Sequence, residues 1–143
     1  MFALQNLKFV EVFQGSYTNG ATATGLVDTL GFDEVVIPIV LGTSDSTSNN
    51  FSACKIEECD TSNGSFASVS GTVGDTDWTI PVADTANDTI IQFHVRTMAR
   101  KRYLKLSVSP TTTQIISAVA ALGRAEQLPN TTTEQGTVAS VNV

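Results

Sequence analysis

His94 is the only histidine among 143 residues, and it lies in the run Gln92-Phe93-His94-Val95-Arg96, where strand alternation sends it to the polar face. A nucleophilic triad would also need a serine on a strained turn, and the sequence holds no Gly-x-Ser-x-Gly string. Cys54 and Cys59 are five apart in one predicted strand, an odd spacing that places them on opposite faces. They are expected to be two free thiols, one packed in the core, and not a disulfide. Zinc takes three or four converging ligands, which one histidine and two diverging cysteines do not supply. Two groups of carboxylates remain: Glu57, Glu58 and Asp60, and the looser Asp75, Asp77, Asp84 and Asp88. Neither has the spacing of an EF-hand loop, which leaves solvated loops as the main reading and a calcium-binding loop beside it. Phosphate-cradling patterns are missing as well. The expectation is a chain with no catalytic residues, no metal and no cofactor.

The stretch with most promise is basic. Residues 1–95 hold twelve acidic and two basic side chains, whereas residues 96–124 hold six basic ones and no acid. Arg96, Arg100, Lys101, Arg102, Tyr103 and Arg124 are therefore candidates for docking onto an acidic surface of a partner or of a second copy. In the polar tail, Leu128, Pro129, Val138 and Val141 are candidates for the same role, since the tail reads either as disordered or as an arm that adds a strand to a neighbouring sheet edge. The net charge of -6 argues against nucleic acid, which needs several cations per site. No apolar run approaches the roughly 18 residues of a membrane helix, and the first residues lack the charged and apolar regions of a secretory signal. The chain is expected to fold inside the cell that makes it, without a membrane partner.

The elements that must carry these residues are strands. Charged residues make up 15% of the chain, below the usual ~25%. Thr, Ser, Asn and Gly take their place, residues that favour strands and turns over helices. Residues 34–41 put Val35, Ile37, Ile39 and Leu41 on one face and Val36, Pro38 and Val40 on the other; Pro38 predicts a sheet edge or a bulge. Residues 51–58 form a second strand with Cys54 and Ile56 inward. Residues 66–73 and 78–82 are weaker candidates. Residues 89–97 and 103–108 alternate cleanly, with Ile91, Phe93, Val95 and then Leu104, Leu106, Val108 inward, and 98–102 read as a charged hairpin loop. Residues 114–123 are apolar on both faces. Seven to nine strands at intervals of about ten residues predict an all-β, antiparallel two-sheet sandwich or jelly roll. It is expected to form one domain over 1–124, opening on an N-terminal strand or arm, followed by a polar arm over 125–143.

Four strings in this order resemble small virion proteins of tailed bacteriophages: Asp28-Thr29-Leu30-Gly31-Phe32 before a Val/Ile-rich strand, Lys55-Ile56-Glu57-Glu58-Cys59-Asp60 before a turn, Lys101-Arg102-Tyr103-Leu104-Lys105-Leu106, and a closing segment ending Val119-Ala120-Ala121-Leu122-Gly123-Arg124. The match spans residues 28–124; Cys54, Cys59 and the tail after Arg124 depart from the pattern. The resemblance implies a capsid decoration or cement protein, non-enzymatic, made in the host cytoplasm and displayed on the virion surface. It also implies a partner, the major capsid protein, bound by a homo-oligomer, a trimer or dimer, that bridges adjacent subunits. Residues 1–13, 98–103 and 125–143 would supply the contacts. Two alternatives stay open: a neck or tail component, and a carbohydrate- or receptor-binding module, which would need exposed aromatics around Trp78 or Tyr17.

Overall fold

A computed structural model describes residues 7–45, 51–81, 88–125 and Gly136. Where apolar residues alternate, strands form: β1 (Lys8–Tyr17), β2 (Ala23–Asp28), β3 (Phe32–Ser44), β4 (Phe51–Cys59), β5 (Ala67–Ser68), β6 (Thr89–Arg96), β7 (Tyr103–Pro110) and β8 (Gln114–Ala125). They make two four-stranded sheets in the orders β1-β8-β3-β6 and β2-β7-β4-β5, with every strand pair antiparallel. This is the jelly-roll order, in which successive strands swap sheets except at the β4–β5 hairpin. The predicted all-β sandwich is the observed fold.

The two inner faces supply the core. Val35, Ile37, Ile39 and Leu41 of β3 and Ile116, Ala118, Ala120 and Leu122 of β8 face Val27 of β2, Ile56 of β4 and Leu104, Leu106 and Val108 of β7, all essentially sealed from solvent. Each large aliphatic side chain buried this way contributes about 1.5–3 kcal/mol. β1 carries a bulge between Glu11 and Phe13, so the consecutive Val12 and Phe13 both point inward. Gly25 of β2 allows the sheets to close on β1, because a Cβ there would overlap the Val12 carbonyl oxygen.

Three expectations are corrected. Pro38 lies in an interior strand and not at an edge: β3 is flanked by β8 and β6, and no bulge falls at Pro38. It pairs with Gln92 of β6, while pairing to β8 stops at Val36↔Ala121 and resumes in the same register at Ile39↔Ala118. The sheet tolerates the missing donor by interrupting one ladder over two residues. Residues 98–102 are not a hairpin loop, because β6 and β7 belong to different sheets; a short 3-10 turn, Thr97–Ala99, carries the chain across. The predicted strand over 66–73 shrinks to Ala67–Ser68, and Trp78 makes only an isolated bridge with Gly74, since Gly71, Gly74 and the intervening turns break the ladder. Of the two N-terminal readings, a strand or an arm, residues 8–13 take the strand, as part of β1.

Candidate partner-binding surfaces

At one end of the sandwich the chain crosses between sheets twice, from β2 to β3 and from β6 to β7, and the two crossings lock together. Thr29 is buried; its amide and its hydroxyl both donate to the Arg102 carbonyl, at 3.0 and 2.7 Å, and the Thr97 hydroxyl donates to the Phe32 carbonyl. The Arg102 guanidinium grips Asp28 through two hydrogen bonds, Nε to Oδ1 at 2.9 Å and Nη2 to Oδ2 at 2.7 Å. That grip holds the Asp28 carboxyl below the usual carboxylate range, the Leu30 amide assists it, and Arg102 is raised in return. Arg100 Nη1 lies 3.5 Å from Glu58, the Lys101 amide donates to Glu58 Oε2 at 3.0 Å, and the Lys101 ammonium sits 3.4 Å from Asp60. Arg124, with positive φ, reaches Glu34 at 3.2 Å, and Arg102 covers the half-buried Tyr103 ring with its guanidinium carbon 4.9 Å from the centroid.

The candidate basic residues thus lie at one end of the sandwich, and four of them carry acidic partners from the same chain. Arg96 is the exception: among the described residues it makes no ion pair. It lines a shallow groove with Asp33, Glu34, Met98 and Arg124. Leu128, Pro129, Val138 and Val141 lie outside the described residues, as does the arm they belong to apart from Ala125 and Gly136.

The outer faces of the two sheets differ in chemistry. On the β2-β7-β4-β5 sheet, Glu57 sits between Lys55 at 3.0 Å and Lys105 at 2.9 Å and accepts from the Ser107 hydroxyl at 3.0 Å. Burial alone would raise its carboxyl, yet the bonds from Lys105, Lys55 and Ser107 outweigh it and leave the group below the ordinary range. On the β1-β8-β3-β6 sheet the outward positions include Val40, Ile90, Ile115 and Val119, which keep 45%, 61%, 53% and 40% of their surface exposed. Sequence reasoning missed this face. The signal was present in Val36, Pro38 and Val40, the second apolar face of one strand, which implied burial of both faces within the chain itself.

The remaining candidates resolve into structure. Cys54 and Cys59 are both free and buried, Cys54 within the core cluster and Cys59 outside it, in keeping with opposite faces. Burial pushes the Cys54 thiol up to about 12, while the Thr61 backbone amide draws the Cys59 thiol down. Asp77 Oδ2 accepts the Gly71 and Val73 amides at 2.8 and 3.0 Å, and Asp75 Oδ1 accepts the Ile80 amide at 3.0 Å, so both carboxylates shape their own loop. Among the described residues no group of three or more His, Cys, Asp or Glu could hold a metal ion. Trp78 donates to the Thr72 carbonyl at 3.1 Å and meets Phe93 edge-on at 5.7 Å, and Tyr17 meets Phe13 edge-on at 5.9 Å. No described aromatic side chain is among the exposed large hydrophobics. His94 is exposed beside Gln92. No helix among the described residues is long and apolar enough to cross a membrane.

No family model and no curated protein matches the chain. Among solved structures it is similar to the CBM22-1–GH10 modules of a Clostridium thermocellum endo-1,4-β-D-xylanase 10B complexed with xylohexaose, at 10% identity and a TM-score of 0.45. That likeness covers 90% of this chain but only 28% of the xylanase chain, and it is too distant to bear on function.

Proposed function

We propose that this chain is a non-enzymatic structural protein of a bacteriophage virion that attaches to the shell of major capsid subunits and stabilises it by bridging them. The observation that supports this reading is the convergence of three of the four segments that resemble phage virion proteins. Asp28-Thr29 clasps Arg102, Glu58 and Asp60 hold Arg100 and Lys101, and Glu57 holds Lys105. Segments 74 residues apart in sequence therefore form one interlocked unit. The fourth segment, in β8, lies at the centre of the opposite sheet and ties to it through Arg124 and Glu34.

A scaffold of this kind suits attachment. Among the described residues six cations, Lys55, Arg100, Lys101, Arg102, Lys105 and Arg124, already pair with acids of the same chain, and a many-copy lattice multiplies a modest affinity per site. The packing of Trp78 and Tyr17 against other rings offers no stacking platform for a sugar, which favours shell attachment over the carbohydrate-binding reading. The test is co-sedimentation of the recombinant protein with empty heads of the phage that encodes it. Saturable binding is expected. Absence of binding would refute shell attachment and leave the neck or tail role.

A further inference from the structure

We infer that the open edge of β1 is a docking site for the chain's own C-terminal arm, seated through Gly136. Sheet edges invite strand addition, because their outward N–H and C=O groups are unpaired. Four strands end the two sheets, β1 and β6 in one and β2 and β5 in the other. β5 is two residues long, and Gly25 of β2 lies against the Val12 carbonyl of β1. Among the described residues, Phe9 of β1 pairs only with Ala121 of β8. A Cβ built on Gly136 would overlap the Phe9 carbonyl oxygen and stand 2.9 Å from the carbonyl carbon and 3.5 Å from the amide nitrogen. In an antiparallel ladder every second residue turns both backbone groups away from its partner. Phe9 is such a residue, since a carbonyl bonded to Ala121 would leave no room for a third backbone in front of it. Gly136 therefore sits on the edge that β8 leaves open.

Two independent features require glycine at this seat. Its φ of 71° lies in the left-handed region, and its approach to Phe9 leaves no space for a side chain. The Phe9 carbonyl cannot swing aside, because Lys8, Phe9 and Val10 are held in register by Leu122, Ala121 and Ala120. The occupant is the arm of the same molecule. β8 pairs with β1 as far as Leu122↔Lys8 and ends at Ala125, three residues or about 10 Å further on. Residues 126–135 link Ala125 to Gly136, and a link of that length spans up to about 36 Å, ample for the return to Phe9. So short a tether holds the arm at a millimolar local concentration, which a second copy in dilute solution does not match. Beyond the seat, Thr137-Val138-Ala139-Ser140-Val141-Asn142-Val143 carries three valines and no charged side chain, a composition suited to a strand edge. The tail, read from sequence as either disordered or an arm for a neighbouring sheet, is thereby assigned to the sandwich it belongs to.

Amide exchange of the full chain, followed by NMR, tests the seat in the free protein, apart from any question of shell attachment. The Phe9 amide is expected to exchange at least about tenfold more slowly in the wild type than in Gly136→Val, at every protein concentration. Gly136 is exposed, so the core should be unchanged, and the amides of the sealed Leu104 and Leu106 report folding in each variant. Gly136→Asn separates docking from a simple turn. Asn tolerates positive φ, but its Cβ meets the same carbonyl, so it is expected to release the arm as Val does. A Phe9 amide that exchanges equally fast in the wild type and in Gly136→Val would overturn the inference. So would protection retained in Gly136→Asn, which would leave this glycine a turn residue alone. Protection that grows with protein concentration would also overturn it and give the edge to the arm of a second copy.

Discussion

The Asp28 carboxylate and the Arg102 guanidinium, 2.7 Å apart, keep 42% and 43% of their side-chain surfaces exposed, which limits what the pair contributes. Asp28→Asn should cost under about 1 kcal/mol at neutral pH, read from urea unfolding. The pH dependence is more diagnostic. Asp28 and Glu57 are both held below their ordinary values in the folded state. Their contribution is therefore complete above the unfolded carboxylate value of about 4 and is lost as pH falls through the lower folded values. Stability should stay level from about pH 7 to about pH 5 and decline below about pH 4, and Asp28→Asn should make that decline shallower. A variant with the same acid slope as the wild type would contradict this assignment. The thiols give a second check. With Cys54 raised to about 12 by burial and Cys59 lowered, a thiol reagent at about pH 8 should modify Cys59 first and Cys54 only on unfolding. Equal rates would show that the two environments do not differ. The opposite-face placement of these cysteines was legible from their odd spacing alone, whereas the pairing of Arg102 with Asp28 was not, because 74 residues separate them.

At the scale of the strands, the readable elements are those with clean alternation or with an apolar run on both faces. β3, β4, β6, β7 and β8 follow from patterns such as Ile91, Phe93, Val95 and Leu104, Leu106, Val108. β1 and β2 escape that reading for physical reasons: the bulge at Val12 and Phe13 breaks the period of two, and Gly25 removes an inward side chain from a six-residue strand. Gly25 is the sharper test, because its Cβ would meet the Val12 backbone and not a side chain that can swing away. Gly25→Ala should cost about 1–3 kcal/mol or more, measured as a lower urea midpoint with unchanged slope. Leu106→Ala, in the sealed centre of β7, should cost about 2–5 kcal/mol. A Gly25→Ala variant as stable as the wild type would mean that the sheets do not close on β1 at this point. Pro38 marks the limit of local rules. Its missing donor predicts an edge, but the inner-face Val35, Ile37, Ile39 and Leu41 are sealed at the middle of the core, and their burial prevails at the expense of part of one ladder.

Across the whole molecule the linear charge pattern is undone by the topology. Acids concentrate before residue 96 and bases after it, which reads as a two-sided chain. The jelly-roll order sets the late β7 between β2 and β4, and the late β8 between β1 and β3, so late cations meet early acids. Asp28, Glu34, Glu57, Glu58 and Asp60 thereby take Arg102, Arg124, Lys105, Arg100 and Lys101. The sandwich class was legible from strand count and turn spacing. The candidate cations were legible as residues but not as a surface, since their partners depend on which strands pair. Four cations of the basic stretch read from sequence, Arg100, Lys101, Arg102 and Arg124, pair with acids of the same chain, whereas Arg96 makes no ion pair among the described residues. The most direct test of the account is the number of copies bound per shell at saturation, counted by quantitative gel after sedimentation with empty heads. Shell attachment predicts a plateau in fixed proportion to major capsid subunits that survives Asp28→Asn. Binding that never saturates, or no binding at all, would contradict it.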